Sequence, residues 1–378
     1  MSQRIKIIAG VVVLVVVLGG IYFYQGKGGE TGSIKVGFIG ALTGDAASIG
    51  AAAQKGMELA VKEINEAGGV NGRIIEAIYE DGKCMAAPAS SAANKLMNVD
   101  KVGAIIGGLC SGETAAFAPA AMQNKTIVIS YCSSAPDLSK TGKYFFRTYP
   151  SDSLQGKFAA EFAYNTLGKR TAAIVYHVSP WGSGLTEVFK KRFEELGGAV
   201  LVSEGMQQTD KDYRSVLSKV KAANPDIVFA PTYSIGASVL VKQYVDLGIT
   251  VQLMGGDAWE DKAFFTEATK TLNGRALYSV TAAKPTKEFE GKLKAYATGV
   301  ENVAFCGPQA YDAVRILAET IRNVGANPDK VADALHALRD YDGVSGKISF
   351  DANGDITHAE YIVKVIKDGM SKEAYVEE

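Results

Sequence analysis

The chain has 378 residues, of which 47% are hydrophobic, and its 40 Lys plus Arg nearly balance 41 Asp plus Glu, for a formal net charge of −1. This balance argues against a nucleic-acid-binding surface, and the apolar fraction argues against a disordered chain. The length is sufficient for two domains of ordinary size.

The first 33 residues differ in composition from the rest. Arg4 and Lys6 precede an uncharged apolar run over residues 7–24, and a glycine-rich linker follows. The run approaches the roughly 20 residues that span a bilayer. It is longer than the usual core of a signal peptide, and no Ala-x-Ala cleavage site follows. We therefore expect a transmembrane anchor over residues 7–24, with the rest of the chain on the periplasmic or extracellular face; the alternative is a cleaved signal and a soluble product.

From residue 34 onward, apolar runs typical of buried strands alternate with helical patterns and glycine-rich turns. In the first part, strands are predicted over residues 34–42, 73–79, 102–106 and 126–129, and helices over 51–67, 86–97 and from Ser111. This alternation predicts βαβ units and a parallel sheet.

The same pattern restarts near residue 151. Strands are predicted over residues 171–177, 199–204, 226–230, 249–254 and 277–280, with helices between them over 154–167, up to 196, from 210, over 235–247 and after 257. Helices near 306 and over 329–338 follow, and an antiparallel pair, 346–350 with 358–365, is predicted around the DANGD turn. The fold class is therefore α/β, with two doubly wound parallel-sheet lobes preceded by one N-terminal transmembrane or signal helix.

Polar turns follow two neighbouring predicted strands. Ser111 begins the helix after strand 102–106, and Ser130, Ser133 and Ser134 follow strand 126–129. Open α/β sheets bind ligands at the carboxyl ends of their strands, and an uncharged, hydroxyl-rich helix N-terminus suits a carboxylate or another small anion. The alternative is that these serines only cap helices.

Four cysteines in an exported chain can form disulfides. Cys84 and Cys110 each follow a predicted strand of the same sheet, so we predict that they pair. Closing this loop of about 27 residues stabilises the fold by roughly 3–4 kcal/mol in the chain-entropy model. Cys132 and Cys306 could pair or remain buried thiols.

Several weaker motifs would indicate other functions. The sequence GLCSG at 108–112 has the spacing of a nucleophile elbow, which would suit a cysteine hydrolase, but that chemistry requires a free thiolate and a histidine partner. The glycines at 37–44 lack a Walker lysine, and the histidines and cysteines lack metal-ligand spacing. Arg147 is expected to form an ion pair or hydrogen bond on the hinge side, and DANGD to form a turn rather than a calcium loop. We expect neither cofactor nor metal.

Taken together, many segments resemble the periplasmic branched-chain amino-acid-binding proteins, the solute receptors of ABC importers with the type I fold. They include VGFIGALTGDAASIGAAAQKGMELAVKEINEAGGVNGR, YEDGKC, GGLCSGETAAFAPAA, ISYCSSAPDLS, FFRTYPSDSLQG, LMGGDAW and CGPQAYDAV, and span roughly residues 34–370. The resemblance implies two lobes joined by three hinge crossovers. Lobe 1 would comprise residues 34–148 and about 283–345, and lobe 2 would comprise 149–282 and about 346–378.

The resemblance also implies a ligand site between the lobes. Ser111 matches the serine that takes the α-carboxylate of the ligand, and Ser133 and Ser134 lie in the loop that contacts carboxylate and ammonium. Asp257 matches the acidic residue, often Glu, that holds the ammonium; the alternative for Asp257 is an N-cap of the following helix.

The remaining matched positions are hydrophobic or structural. Trp181 and Tyr233 match aromatic residues that close over the ligand, and Ile49 matches a position in the side-chain pocket. The Cys84–Cys110 pair matches a disulfide of the family. The departures from the family at Asp257, Trp181 and Ile49 leave the preferred amino acid open.

The resemblance therefore implies a monomeric, non-enzymatic receptor that captures an amino acid, branched-chain, aliphatic or related, and delivers it to an ABC permease. A ligand-sensing receptor for amino acids or amides, coupled to a separate signalling partner, is the alternative. A cysteine hydrolase is the third hypothesis.

Overall fold

The computed structural model describes residues 32–300 and 305–375. The predicted anchor over residues 7–24 lies outside these ranges. Within them, no helix combines the length and the hydrophobicity needed to cross a membrane. The elements below all belong to one compact unit, Ile34–Glu378.

The first lobe is built on a five-stranded parallel sheet with the order β2-β1-β3-β4-β5. Its strands are β1 (Ile34–Gly40), β2 (Ile75–Asp81), β3 (Ala104–Ile106), β4 (Ile127–Ser130) and β5 (Phe145–Arg147). The helices between them are α1 (Ala47–Glu66), α2 (Ala86–Lys95) and α3 (Ser111–Gln123). In β1, side chains on both faces are buried, including Phe38 and Ile39, as expected for a parallel sheet covered by helices on both sides.

The second lobe is built on a seven-stranded sheet with the order β14-β13-β10-β9-β8-β6-β7. Its parallel strands are β6 (Thr171–His177), β7 (Ala199–Met206), β8 (Ile227–Ala230), β9 (Gln252–Gly255) and β10 (Ala276–Thr281), and β13 (Tyr361–Lys367) and β14 (Met370–Tyr375) run antiparallel at one edge. The helices along this part of the chain are α4 (Asp152–Glu161), α5 (Pro180–Glu195), α6 (Arg214–Ala223), α7 (Ser234–Asp246) and α8 (Glu267–Leu272).

The chain passes between the lobes three times: after β5, after β10, and before β13. Between the last two passages it forms α9 (Lys287–Tyr296), α10 (Gly307–Val324), α11 (Pro328–His336) and a small hairpin of β11 (Tyr341–Gly343) and β12 (Gly346–Ile348). Helix α10 packs along α1, and α11 contacts β4, so this segment returns to the first lobe. The lobe boundaries given above stay a prediction.

The predicted antiparallel pair at the C-terminus is wrong in its pairing. Strand β12 pairs with β11, and β13 pairs with β10 and β14; across the DANGD turn only an isolated bridge joins Phe350 and Ile356. Adjacency along the chain favoured a local hairpin, but β13 instead extends the edge of the second sheet. Strands β5, β11 and β14 and helix α9 were not predicted from the sequence.

Arg147, at the end of β5, forms the expected ion pair. Its buried guanidinium donates to both carboxylate oxygens of Asp355, at 2.7 and 3.0 Å, and to the Ala135 carbonyl at 3.0 Å. Asp355 belongs to the DANGD turn, in which the Asp351 carboxylate accepts from the backbone N–H groups of Asn353 and Asp355. The turn is thus closed by its own backbone and tied to the first passage between the lobes.

Candidate ligand-binding site

A cavity lies where the carboxyl ends of strands from both sheets face each other. The residues that line it are Ala46, Ile49, Leu109, Cys110, Ser111, Cys132, Ser134, Trp181, Tyr233, Asp257, Ala258 and Phe305. It is narrow, with about 30 Å³ open to the centre of a water-sized sphere, which is room for very few water molecules. A ligand as large as an amino acid therefore fits only if the cavity widens.

Ser111 is the first residue of α3, and Cys110 is its N-cap. The Ser111 Oγ accepts hydrogen bonds from the backbone N–H groups of Ser134, at 3.2 Å, and Ala135, at 3.1 Å. With both lone pairs of the hydroxyl engaged, its hydrogen is left to donate. Ser111 therefore serves the cavity as a donor that suits an anion, and it joins two loops instead of capping its helix.

The loop before Ser111 is fixed by the buried carboxylate of Glu113. Its Oε2 accepts from the N–H groups of Leu109 and Cys110, both at 2.9 Å, and its Oε1 accepts from the N–H of Cys84 at 3.0 Å. Burial raises the pKa of Glu113 to about 7, although the three N–H donors act in the opposite direction. The predicted Cys84–Cys110 disulfide is present beside this carboxylate, so the donor end of the cavity is covalently and electrostatically braced.

Ser134 and Ser133 differ in their roles. Ser134 lines the cavity, and its hydroxyl donates to Asp152 Oδ2 at 2.9 Å. Ser133 does not line it: its Oγ lies 3.0 and 3.2 Å from the carbonyl oxygens of Gly108 and Leu109. Ser133 therefore joins the loop after β4 to the loop after β3.

Asp257 follows β9 as the first residue of a short 3₁₀ turn whose N-cap is Gly256, so its side chain is not the cap. It is only 4% exposed, and its Oδ2 accepts from the Tyr149 hydroxyl at 2.7 Å. Burial raises the pKa of Asp257 to about 6, opposed by the Tyr149 hydrogen bond. Because this donor is neutral, the carboxylate keeps its charge for a cation in the cavity.

Trp181 and Tyr233 form the aromatic wall of the second lobe, with ring centroids 4.8 Å apart and planes inclined by 27°. The backbone N–H of Tyr233 donates to Nδ1 of the buried His177 at 3.1 Å. Nε2 of His177 therefore carries the proton and donates to the Tyr213 hydroxyl at 2.9 Å. Burial lowers the pKa of His177 to about 4, so the imidazole is neutral and holds Tyr233 in place.

The rest of the wall is apolar. Ile49, Leu109 and Phe305 line it, and the Phe305 ring packs edge-on against Tyr149 with centroids 6.0 Å apart. The next residue, Cys306, forms a disulfide with Cys132, which resolves the alternative that the sequence left open.

All four cysteines are thus paired, and no free thiol exists in the described residues. This removes the nucleophile that the cysteine hydrolase hypothesis assigned to Cys110. No group of three or more His, Cys, Asp or Glu side chains that could hold a metal ion occurs among residues 32–300 and 305–375.

Six of the seven residues expected to contact ligand line this one cavity: Ile49, Ser111, Ser134, Trp181, Tyr233 and Asp257. Ligand contact was not predicted for the other six lining residues: Ala46, Leu109, Cys110, Cys132, Ala258 and Phe305. The supporting roles of Tyr149, Asp152 and His177 were not predicted either. Tyr149 lies two residues after β5, a strand too short to be predicted from the sequence pattern.

Comparisons with known proteins show the family and the fold of this chain. A family model described as "Periplasmic binding protein" matches residues 33–370. A leucine-, isoleucine-, valine-, threonine- and alanine-binding protein from Pseudomonas aeruginosa is 29% identical over 335 residues, which cover 88% of this chain and 89% of the relative.

Two solved structures are also similar over most of their length. The leucine-binding protein LivK from Thermotoga maritima superposes with a TM-score of 0.82 at 27% identity, covering 90% of this chain and 98% of that one. The branched-chain amino acid transporter substrate-binding protein LivJ from Streptococcus pneumoniae, in complex with isoleucine, superposes with a TM-score of 0.80 at 28% identity. The match again covers 90% of this chain and 98% of that one. The two-lobed type I fold and the resemblance to branched-chain amino-acid-binding proteins are confirmed, and this chain belongs to the periplasmic binding protein family.

Proposed function

We propose that this protein is the extracytoplasmic receptor of an ABC importer and that it captures an amino acid with an aliphatic side chain between its lobes. One observation carries the proposal. The cavity has a hydrogen-bond donor on the first lobe, the Ser111 hydroxyl, and a buried acidic acceptor on the second, the Asp257 carboxylate.

This division of charge matches a zwitterion. An α-carboxylate suits the Ser111 hydroxyl at the N-terminus of α3, where the helix dipole favours negative charge. An α-ammonium suits Asp257, and charge-assisted hydrogen bonds away from water are among the strong ones. Because the two groups belong to different lobes, a ligand that reaches both favours the closed arrangement by its differential affinity.

The apolar part of the cavity suits the ligand side chain. Ile49, Leu109 and Phe305 provide hydrocarbon surface without a polar partner for a charged or amide side chain. The names of the similar proteins support an aliphatic ligand, since they specify leucine, isoleucine and valine, and in one relative also alanine and the polar threonine.

The family implies a periplasmic or extracellular location and a permease as the membrane partner. Tethering by residues 7–24 and a monomeric state stay predictions. A sensing receptor would use the same clamp, and it would differ in its partner and not in its ligand chemistry.

Calorimetric titration of the purified full chain tests the proposal. L-leucine, L-isoleucine, L-valine and L-alanine are compared with two matched controls, 4-methylpentanoate, which lacks the ammonium, and leucinamide, which lacks the carboxylate. We expect at least one amino acid to bind, and each leucine control to bind about 100-fold or more weakly than leucine itself. Absence of binding for all four amino acids, or equal affinity for the controls, would contradict the proposal.

A further inference from the structure

Asp152 is a buried carboxylate to which the proposed clamp assigns no role. It is the first residue of α4, just after the first passage of the chain between the lobes, and its side chain has no exposure. It is not the N-cap of α4, because that position is Ser151, whose Oγ accepts from the N–H of Ser153 at 3.3 Å. Asp152 also does not line the cavity.

Asp152 is instead bonded twice to Ser134, which does line the cavity. The Ser134 hydroxyl donates to Asp152 Oδ2 at 2.9 Å, and the Asp152 backbone N–H donates to the Ser134 carbonyl at 2.8 Å. A serine hydroxyl has one hydrogen and two lone pairs, and an aspartate oxygen that carries no proton, as Oδ2 does when Ser134 donates to it, only accepts. The hydrogen of Ser134 is therefore used by Asp152, and only its lone pairs remain for the cavity.

Ser111 shows the reverse arrangement on the same wall. Its Oγ accepts two backbone N–H groups and keeps its hydrogen for the cavity. Two chemically identical side chains thus present opposite polarity, one as a donor and one as an acceptor. Ser111 obtains its polarity from backbone groups, whereas Ser134 obtains it from a single side chain.

We propose that Asp152 is a positioning residue that fixes the Ser134 hydroxyl as an acceptor, so that Ser134 and Asp257 together receive the ammonium of the ligand. The proposal rests on the amino-acid clamp described above, and extends it by assigning the discrimination for an ammonium group to a residue that does not touch the ligand.

Asp152 is unfavourable for stability, which a purely structural role does not explain. Its Oδ1 is buried and has no hydrogen-bond partner within the described part of the chain. Burial, and next the repulsion from Asp257, raise its pKa well above the ordinary value. An unpaired buried acid costs folding free energy, and such groups cluster at functional sites. An ammonium bound nearby would offset part of this cost.

A double-mutant cycle tests the proposal: Asp152→Asn, Ser134→Ala and the combination, in the full chain. The probes are L-leucine and its 2-hydroxy analogue, whose neutral hydroxyl can accept a hydrogen bond from Ser134. The Asn amide can donate to Ser134 and so release the serine hydrogen toward the cavity. We expect Asp152→Asn to lower the affinity for L-leucine by about 30-fold. The affinity for the hydroxy acid should fall by less than about threefold, because only the ammonium needs an acceptor.

The cycle separates positioning from a general loss of structure. We expect the combined variant to bind L-leucine within about twofold of Ser134→Ala alone, since Asp152 acts through Ser134. The proposal would be overturned if Asp152→Asn lowered the affinity for both probes equally. It would also be overturned if the combined variant lost affinity for L-leucine by the full effect of Asp152→Asn beyond the loss in Ser134→Ala. Thermal unfolding without ligand monitors the fold of each variant.

A second variant keeps the test decisive if Asp152→Asn does not fold. Ser134→Thr retains a hydroxyl that can donate to Asp152, so it should keep the preference for L-leucine over the hydroxy acid, whereas Ser134→Ala should lose it. Equal preference in these two variants would overturn the proposal. If the wild-type chain binds no amino acid, the proposed clamp is wrong. If the wild-type chain binds leucine but the losses of the two single variants add up in the combined variant, only the role of Asp152 is wrong.

Discussion

The carboxyl group of Asp257 is the negative end of the cavity, and its burial decides at which pH that charge is present. Its pKa is raised to about 6, so acidification below this value neutralises the group in the unliganded protein. The neighbouring Asp152 is also a buried acid, and its own pKa is raised first by burial and next by repulsion from Asp257. An ammonium binds the deprotonated form, so protons compete with the ligand.

We therefore expect the affinity for L-leucine to fall as the pH is lowered from 8 to 5, approaching about tenfold per pH unit below the pKa for one linked proton. The leucine carboxylate and ammonium do not titrate in this range. Calorimetric titration at several pH values measures the slope. In Asp257→Asn the affinity should be about 100-fold lower at pH 8 and its pH dependence weaker. A wild-type affinity that stays constant from pH 8 to 5 would contradict this assignment.

The buried side chain of His177 affects the stability of the fold and its dependence on pH. Its pKa is lowered from 6.5 to about 4 by burial. Between these values the unfolded chain binds a proton that the folded protein does not, so the free energy of unfolding decreases as the pH falls through this window. The contribution is roughly 3 kcal/mol at most, from about 1.4 kcal/mol per pH unit.

The matched variant is His177→Asn, whose amide can accept from the Tyr233 N–H and does not titrate. Urea unfolding of both proteins between pH 7 and 4 should show a smaller loss of stability in the variant. The comparison is needed because Glu113 has a raised pKa of about 7 and contributes with the opposite sign in the same range. Parallel pH profiles for the two proteins would contradict the role of His177.

At the scale of the elements, the two disulfides brace different parts of the site. Cys84–Cys110 closes a separation of 26 residues within the first sheet, whereas Cys132–Cys306 closes 174 residues and joins the loop after β4 to the start of α10. Both Cys132 and Phe305, which precedes Cys306, line the cavity. The second disulfide therefore fixes the positions of two walls of the cavity relative to each other.

We expect Cys132→Ala with Cys306→Ala to lower the free energy of unfolding by about 5 kcal/mol, because the entropy of a closed loop grows with the logarithm of its length. The same change at Cys84 and Cys110 should cost about 3–4 kcal/mol in that model, and serves as the comparison. Denaturant titration under non-reducing conditions measures both. A loss below about 1 kcal/mol for the longer loop would show that the disulfide adds little constraint to the unfolded chain.

The sequence predicted those elements in which a hydrophobic run is bounded by turn residues. β6 has the predicted limits, Thr171–His177, and the parallel order of the sheets follows from the alternation of strand and helix. β5 was missed because three residues are too short to show a pattern. The partner of β13 was assigned wrongly because periodicity does not specify which distant strand, here β10, offers a free edge.

The same reasoning explains which site residues were found. Ser111 and Ser134 follow parallel strands of the first sheet and Asp257 follows one of the second, and the topology of each sheet brings such positions to its carboxyl edge. Asp152 follows the first passage between the lobes, and Phe305 lies in the segment between α9 and α10. A sequence pattern does not place these segments in space. Their contribution required the three-dimensional arrangement.

At the scale of the whole molecule, the lobes also touch outside the cavity. The Ser48 hydroxyl of α1 donates to Asp261 Oδ1 at 2.6 Å, across the cleft from the loop after β9. The other oxygen, Oδ2, accepts from Ser234 of the second lobe at 3.0 Å. Neither Ser48 nor Asp261 lines the cavity. The closed arrangement is therefore stabilised by contacts that are independent of the ligand.

This contact predicts an effect on affinity without an effect on selectivity. Ser48→Ala removes one hydrogen bond of the closed state, worth about 0.5–1.5 kcal/mol, and the ligand must supply that free energy to close the lobes. We expect about three- to tenfold weaker binding of leucine, valine and alanine alike. Ser234→Ala is the matched control, because its bond to Asp261 lies within one lobe and exists in the open state as well. Small-angle scattering with and without ligand should show a smaller fraction of closed molecules for Ser48→Ala at equal ligand concentration. A changed ratio of the affinities for leucine, valine and alanine would contradict this prediction and would indicate that Ser48 contacts the ligand.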